Sequence, residues 1–535
     1  MHTAHPGGSV PGARYRSTMG KSTFFLTTAI DYVNSSPHVG TAYEKIAADA
    51  IARFRRLRGD KTFFLMGNDE HSTNVEKEAV AKGMEPQAYC DMMAETFQNI
   101  WRKLNISYDG FIRTTEERHV RSVQRLFTEI HDRGDIYPGT YEGLYCVSCE
   151  AFYTEKDLVD GKCPTHKVEP KWISEKNHFF RLSKYQDRLL DHVEKHPEFI
   201  APEIRRNEIL NVIKSGLEDV SVSRSSFKWG IPLPIDTSQT IYVWFDALIN
   251  YISALGYADD DARFSEYWPA SLHIIGKDIT RFHCILWPAM LMSAGIELPA
   301  TVLGHGFVSF RGERMSKSLG NIVDPLDVAD RFGPDPLRYY LLREVPLDRD
   351  GDFSWELFIE RYNSDLANDL GNLLSRTLAM IVRYNDGLVE DVLSADEKTG
   401  ELKSVAEQSI RDYVTSMERC EIDSAVQSTW KLIRRANQFI EETAPWKLAK
   451  EQSQRKKLLS ALNALLECIR IVAVLLFPVM PGKSVQIWEC ARFSGSPEEK
   501  DLRSLGWSNE VVEAGRKVTQ VEPLFPRIST RTISP

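Results

Sequence analysis

Cysteine is scarce in this chain. Eight in 535 residues are too few for a disulfide scaffold, and that usage suits a reducing compartment. Long hydrophobic runs are missing too. The longest apolar stretch, Ile471 to Phe477, follows Glu467 and Arg470 and stops at Pro478, so it reads as a buried helix end and no membrane partner is expected. Neither sign of charge dominates. A net charge of −9 neither points to nucleic acid nor excludes it, because phosphate binding depends on local patches. Internal repeats and low-complexity segments are lacking. The first eighteen residues have no apolar core, which excludes a secretory signal. Arg14 and Arg16 without an acid leave an organellar-targeting reading open, beside a disordered extension or a true start at Met19; a cytoplasmic location is the main expectation.

What is present is a soluble composition, 42% apolar and 26% charged, on a chain too long for one core. Residues 22–30 read as a buried strand. Tyr43, Ile46, Ala47, Ala50, Ile51, Phe54 and Leu57 share one helical face, and Thr62 to Met66 form a second apolar strand. Strand, helix and strand in that order imply parallel pairing and an α/β domain. The stretch 133–235 breaks the rhythm and reads as an insertion. Strand signals return at Thr240–Trp244, Leu272–Ile275 and Thr301–Leu303, so one sheet is expected from two halves of the chain. Beyond Trp355 the spacing of Val426, Trp430, Ile433 and Ile440, and of Leu458, Leu462, Leu465, Ile469, Val472 and Leu476, predicts a helix bundle.

Ligands of open α/β sheets bind beyond the carboxyl ends of the strands. Those ends carry Ala29 to Tyr32 with His38 and Gly40 after them, Gly67 to His71, Trp244, Gly276 to Asp278, and Gly304 to Gly306. Gly40 would let a nucleotide approach the backbone, and a helix starting there offers amides and a positive dipole end to phosphate. His38 could donate to a phosphate whose charge grows in the transition state. A histidine at a helix start is as often a cap. Arg314 to Ser318, RMSKS, sets basic groups beside small hydroxyl residues on a mobile loop able to place Lys317 on a departing pyrophosphate.

Together PHVGT and RMSKS resemble the HIGH and KMSKS signatures of class I aminoacyl-tRNA synthetases, with Thr41 in place of the final histidine and Arg314 in place of the first lysine. The resemblance narrows to the methionyl-tRNA synthetases over nearly all of residues 22–535. It is carried by AIDYVNSSPHVGTAY, GNDEHST, IYVWFDALINY, HIIGKDITRFH and GHGFVSFRGERMSKSLGNIVDP. Ala29, Tyr32, Asn34 and His38 meet the family's opening motif; Leu248 stands where members can carry proline.

The resemblance implies ATP-dependent activation of L-methionine, Mg2+ on the phosphates, and transfer to the 3′-terminal ribose of tRNA(Met). To methionine it assigns Ala29, Ile30, Tyr32, Asp69, Trp244, Ala247, Leu248, Tyr251, Asp278, Ile279, Phe282 and His283, with Asp69 on the ammonium. To ATP it assigns His38, Gly40, Thr41, Lys277, Gly304, His305, Gly306, Met315, Ser316 and Lys317, with His38, Arg314 and Lys317 catalytic. A thioether does want an apolar aromatic pocket with a few polar contacts, which Tyr32 and His283 could supply. On spacing alone, Trp244, Tyr251 and Phe282 read as core aromatics rather than pocket walls.

Cys146 and Cys149, then Cys163 and His166 after thirteen residues, have the spacing of a closed tetrahedral structural Zn2+ site, a knuckle that would staple the insertion. The resemblance also places anticodon contacts at Asn372, Arg376 and Trp446; without it they read as a solvated helix face and a packing anchor. The expected fold is a Rossmann-like parallel-sheet α/β catalytic domain split by a zinc-binding insertion, followed by an all-α anticodon-binding bundle. Its segments are an extension (1–21), first catalytic half (22–132), connective insertion (133–235), second half (236–309), KMSKS and stem-contact region (310–361), bundle (362–517) and a tail packing back (518–535). A monomer is expected. Rival readings are a synthetase for leucine, isoleucine, valine or cysteine, and a noncatalytic tRNA-binding protein on the same scaffold. The insertion is small for an editing domain, and a cysteine enzyme would hold its zinc among the pocket residues.

Overall fold

The computed structural model describes residues 17–18, 21–147, 151–153, 155–164, 167–225, 227–259, 261–315, 322–394 and 396–529. The extension before residue 17 lies outside them. The chain forms two compact units. One takes Met1–Pro37, Lys61–Arg102 and Ser107–Gly306, and the other His38–Asp60, Lys103–Ile106 and Phe307–Pro535.

The first unit is built on a parallel sheet drawn from both halves of the chain, but the strand expected at 240–244 is not part of it: Asp236–Ile241 pairs antiparallel with Ser223–Arg224 and Pro232–Leu233 in a separate sheet, and Val243–Leu248 is helical. Lys21–Thr28 lies between Lys61–Asp69 and Leu272–Gly276, and Val302–His305 follows. Phe24, Phe25, Leu26, Phe64, Leu65 and Ile274 are buried, the continuous apolar runs of a sheet covered on both faces. Gly110–Arg113 adds a further parallel partner to Lys61–Asp69. The edge beside Val302–His305 is Ile200–Ala201, two residues supplied from within the insertion. The insertion is therefore stitched into the main sheet. It has a sheet of its own, in which Ile136–Cys146 pairs antiparallel with Lys171–Phe180 and with Ala151–Tyr153. One apolar core runs through the unit and includes Phe25, Leu65, Phe127, Phe180, Phe245 and Trp287.

The sheet brings the carboxyl ends of its strands to one edge. Tyr32 pairs with Asp69, and Gly276 pairs with His305. Each chemistry-bearing stretch of this unit begins where a strand stops.

The second unit holds the helix Val39–Leu57, which sequence reading places with the first catalytic half. Its contacts within the unit explain the grouping. The Tyr43 hydroxyl donates to the Val345 carbonyl at 2.9 Å. Asp49 accepts from Arg338 at 2.6 Å and from Arg53 at 2.8 Å. The Arg338 guanidinium also donates to the carbonyls of Val479 and Pro478, at 2.9 Å each. A small sheet, Val308–Phe310 with Glu313–Arg314 and Gly351–Phe353, precedes the bundle. The bundle packs Glu397–Glu418, Ile422–Thr443 and Arg455–Leu476 around Trp430, Ile433, Leu462 and Leu465. The stretch Gln452–Leu476 is long and apolar enough to cross a bilayer by length and composition, but 94% of that window is buried within the protein, as in a core helix. The tail returns to the body: Asn363 exchanges two hydrogen bonds of 3.0 Å with the Ile528 backbone, and Phe525 packs on Tyr362.

Asp49 and Arg338 are fully buried. Removing one partner strands the other charge, so Asp49→Ala is expected to destabilise the chain by ~3–5 kcal/mol, read as a fall in the urea midpoint. A midpoint within error of the parent protein would show that the pair contributes nothing.

Candidate functional site

At the carboxyl edge of the first unit's sheet lies a small cavity of about 30 Å³. Ala29, Ile30, Tyr32 and Asp69 come to it from strand ends. Trp244, Ala247 and Leu248 come from the helix Val243–Leu248, Asn250 and Tyr251 from the next turn, and Ile279 and His283 from beyond Leu272–Gly276. A single water needs ~10–15 Å³ by this measure, so a side chain enters only as the lining groups turn aside. Two residues expected here stand elsewhere. Asp278 is exposed. Phe282 sits behind Trp244, ring on ring, with centroids 3.8 Å apart and planes 3° from parallel. Asn250 lines the cavity although sequence reading passed over it.

The aromatic positions are set by hydrogen bonds. Tyr251 Oη and His283 Nε2 lie 2.7 Å apart, and His283 Nδ1 lies 3.1 Å from the Ile279 carbonyl. A carbonyl only accepts, so Nδ1 carries the proton and Nε2 accepts from the tyrosine hydroxyl. Beneath Tyr251 stacks His273, whose Nδ1 lies 2.6 Å from the Thr27 hydroxyl. Burial, reinforced by His283, pushes the His273 pKa well below the ordinary histidine value, so it stays neutral.

Behind the cavity one carboxylate ties its walls together. Asp246 is fully buried. One oxygen accepts from His71 Nδ1 at 2.8 Å and the other from His119 Nε2 at 2.7 Å; His119 Nδ1 meets the Ser253 hydroxyl at 2.8 Å. His71 lies two residues past Asp69. Asp246 lies two past Trp244, and Ser253 two past Tyr251. Burial alone would raise Asp246, but the charge of His71 and the hydrogen bonds of both histidines outweigh it and hold the carboxyl below its ordinary value. Next to this frame a second cavity of about 210 Å³ is lined by His71, Glu76, Tyr145, Arg224 and Tyr242 among others. The Arg224 guanidinium lies over the rings of Tyr145 and Tyr242, at 4.5 and 5.0 Å. Two carboxylates, Glu76 and Glu175, line the same cavity. No motif in the sequence marks it.

Of the residues assigned to nucleotide, Lys277 follows Gly276 directly, and Gly304, His305 and Gly306 end the adjacent strand, all in the first unit. Gly304 has a steric reason, since a Cβ there would stand 2.7 Å from the Thr280 methyl. In the second unit His38 caps the helix Val39–Leu57. Its Nδ1 accepts from the amides of Gly40 and Thr41, at 3.0 and 3.3 Å. The Val39 amide donates to the Val323 carbonyl at 3.0 Å. The first amides of the helix are thus taken within the chain, a correction to the expectation that they face phosphate. The need for glycine also differs: a Cβ on Gly40 would lie 2.8 Å from His38 Cε1. Met315 is buried. Ser316 and Lys317 lie outside the described residues, as does the side chain of Arg314.

Within the insertion Cys146 and Cys163 are both buried. The turn after Cys163 is closed by two backbone hydrogen bonds, Lys167 to Cys163 at 2.8 Å and Cys163 to Val168 at 2.9 Å. A knuckle needs four ligands around one ion. Cys149 and His166 lie outside the described residues, among which no group of three metal-ligating side chains occurs. In the bundle Asn372 is exposed, and Arg376 reaches Glu441 at 2.7 Å, on the helix that leads into Trp446.

Comparison with known proteins agrees over most of the chain. A family model for tRNA synthetases class I (M) matches residues 24–171 and 166–378, and one for the anticodon binding domain of methionyl tRNA ligase matches 392–534. The methionine–tRNA ligase of Caldanaerobacter subterraneus is 47% identical over 512 residues, covering 95% of this chain and 79% of that protein. That of Thermotoga maritima is 44% identical over 512 residues, covering 95% and 81%. Among solved structures, Mycobacterium tuberculosis methionyl-tRNA synthetase in complex with methionyl-adenylate is similar with a TM-score of 0.90 and 41% identity, covering 94% of this chain and all of that one.

The stability that Asp246 contributes is complete above an unfolded-state pKa of ~3.9 and is lost as pH falls through its lower folded value. Asp246→Asn is expected to cost ~3 kcal/mol or more near neutrality. The urea midpoints of parent and variant should then converge as pH drops below ~4. A gap that stays constant from neutrality down to that range would show that the carboxylate's charge is not what stabilises the fold.

Proposed function

The chain belongs to the methionyl-tRNA synthetases of class I, and from that premise we propose how its residues divide the work. It activates methionine with ATP, giving methionyl-adenylate and pyrophosphate, and charges tRNA with the methionyl group. The observation that supports the residue assignment is the gathering of Ile30, Tyr32, Asp69, Trp244, Tyr251 and His283 around one cavity. An acid stands beside aromatic and aliphatic walls there, which suits an amino acid with an uncharged, flexible, apolar side chain.

In this reading Asp69 holds the substrate ammonium, and Trp244, Ala247, Tyr251 and Ile279 hold the thioether chain. The methionine carboxylate attacks the α-phosphate in line as the bond to pyrophosphate breaks. No side chain acts as nucleophile; positioning and charge stabilisation do the work. His38 has its proton on Nε2, because Nδ1 accepts from the helix amides, and that N–H donates to the phosphates. Lys317, with Arg314, follows the departing pyrophosphate, and magnesium enters as MgATP. A 3′-terminal ribose hydroxyl of tRNA then attacks the methionyl carbonyl and AMP leaves. Asn372, Arg376 and Trp446 read the anticodon, the tryptophan by stacking on an unpaired base. Cys146, Cys149, Cys163 and His166 would hold a zinc ion that would fix the fold of the insertion without entering the chemistry. The relatives reported above are bacterial, which gives the organellar-targeting reading of Arg14 and Arg16 no support.

Amino-acid-dependent ATP–pyrophosphate exchange tests the assignment. Methionine should drive exchange and norleucine should do so poorly, since an apolar pocket separates near-isosteres by only ~1–3 kcal/mol. Lys317→Ala should lose ~100-fold or more in rate with little change in the KM for methionine. Equal exchange with norleucine would refute the polar contacts, and an unimpaired Lys317→Ala would remove that lysine from the mechanism.

The zinc reading has a test independent of activity. Elemental analysis should find one zinc per chain in the parent protein and none in Cys146→Ala. Parent protein that folds and carries no zinc when grown in its presence would reject the knuckle.

A further inference from the structure

The Trp244–Phe282 stack separates two cavities of the first unit. Trp244 faces the small cavity assigned to methionine. Phe282, on the other side of the stack, faces a cavity of about 420 Å³. The wall between them is two rings in face contact, 3.8 Å apart. The far cavity is lined by aliphatic side chains that include Leu182, Val212, Leu217, Ile285 and Leu286. Its charged members are exposed or partly so: Arg281 is 60% exposed and pairs with Asp157, 31% exposed, at 3.3 Å. An apolar group that passed the wall would meet an apolar lining.

Trp244 is contacted by a second ring as well as by Phe282. Tyr32 stands edge-on against it, with centroids 6.3 Å apart at 84°, and its helix is anchored through Asp246. Phe282 stacks on it and lines the far cavity. An apolar pocket discriminates by just ~10–200-fold per methylene through contact alone, so strict rejection of a longer side chain needs a hard stop.

We propose that Phe282 is that stop. It sets the length of side chain the enzyme accepts, and the cavity behind it is a latent subsite for the distal alkyl group of a longer thioether amino acid, an S-alkyl homocysteine. The proposal rests on the reading of the small cavity as the methionine pocket.

The test is ATP–pyrophosphate exchange with methionine, S-ethyl-homocysteine and S-propyl-homocysteine. In Phe282→Ala the kcat/KM for the S-propyl compound, relative to methionine, should rise by at least ~10-fold. Phe282→Tyr keeps the ring and should leave the ratio as in the parent. Val212→Phe, which fills the far cavity, should not alter methionine activation, and it should erase the gain when combined with Phe282→Ala. If Phe282→Ala fails to fold, Phe282→Leu replaces the flat ring by a narrower side chain and should show the same trend. An unchanged ratio, or a gain that survives Val212→Phe, overturns the proposal. If instead the methionine KM is untouched by both Trp244→Ala and Phe282→Ala, the pocket reading itself fails. A raised methionine KM with an unrelaxed ratio sinks only the present inference.

Discussion

A buried carboxylate with two histidines on it is the constraint from which the rest of the pocket follows. Asp246 carries a charge where water cannot reach it, an arrangement tolerated only when the charge is paired and fully hydrogen-bonded. Its partners come from separate stretches of chain, His71 from a strand end and His119 from the helix Glu117–Asp132. Each bond therefore fixes a different wall. Through His71 the carboxylate locates the strand end that carries Asp69, through its own helix it locates Trp244, and through His119 and Ser253 it locates the turn that carries Tyr251. A pocket made of loop ends is as rigid as what stands behind it. Here that backing is three short hydrogen bonds, made by side chains that do not line the cavity.

His38 shows a similar economy. Its imidazole folds over the start of its helix and accepts from two amides, which leaves its proton on the opposite nitrogen. Both features depend on Gly40, because any side chain there would collide with the ring. Histidine and glycine two apart thus form one device: the glycine admits the ring to the cap, and the cap selects the tautomer able to donate. Thr41, where the family signature has histidine, contributes its backbone amide to this cap. That contribution does not depend on the identity of the side chain.

Much of this was legible in the sequence, for reasons that differ by part. The parallel sheet could be read because buried parallel strands are continuous apolar runs, as in Phe24 to Leu26 and Phe64 to Met66. The cavity's residues were named only through the family resemblance, because on spacing alone Trp244, Tyr251 and Phe282 read as core aromatics. What escaped is set by tertiary geometry. Asp246, His71 and His119 are separated by 127 and 175 positions, and no spacing rule links them. Phe282 shares a motif with His283 and Ile279, yet its ring points past the cavity to the back of Trp244. Ile200–Ala201 is too short a strand to leave a pattern. The helix Val39–Leu57 has the apolar face expected of it, but periodicity does not say that Asp49 will pair with an arginine 289 positions away.

The pocket's polar contacts also change meaning once hydrogen bonds are counted. Sequence reading offered His283 as a group that could touch the substrate sulfur. In the structure its Nδ1 proton goes to the Ile279 carbonyl and its Nε2 lone pair is occupied by the Tyr251 hydroxyl. The ring has no second proton to give without becoming a cation, a costly state in a nearly closed apolar site. His283 therefore works through Tyr251, orienting a hydroxyl at the cavity wall. That hydroxyl gives its one proton to His283, so it has none for a thioether, which is itself only a weak acceptor. On the proposed reading, a hydrogen bond to the substrate sulfur would have to come from Tyr32, which lines the same cavity.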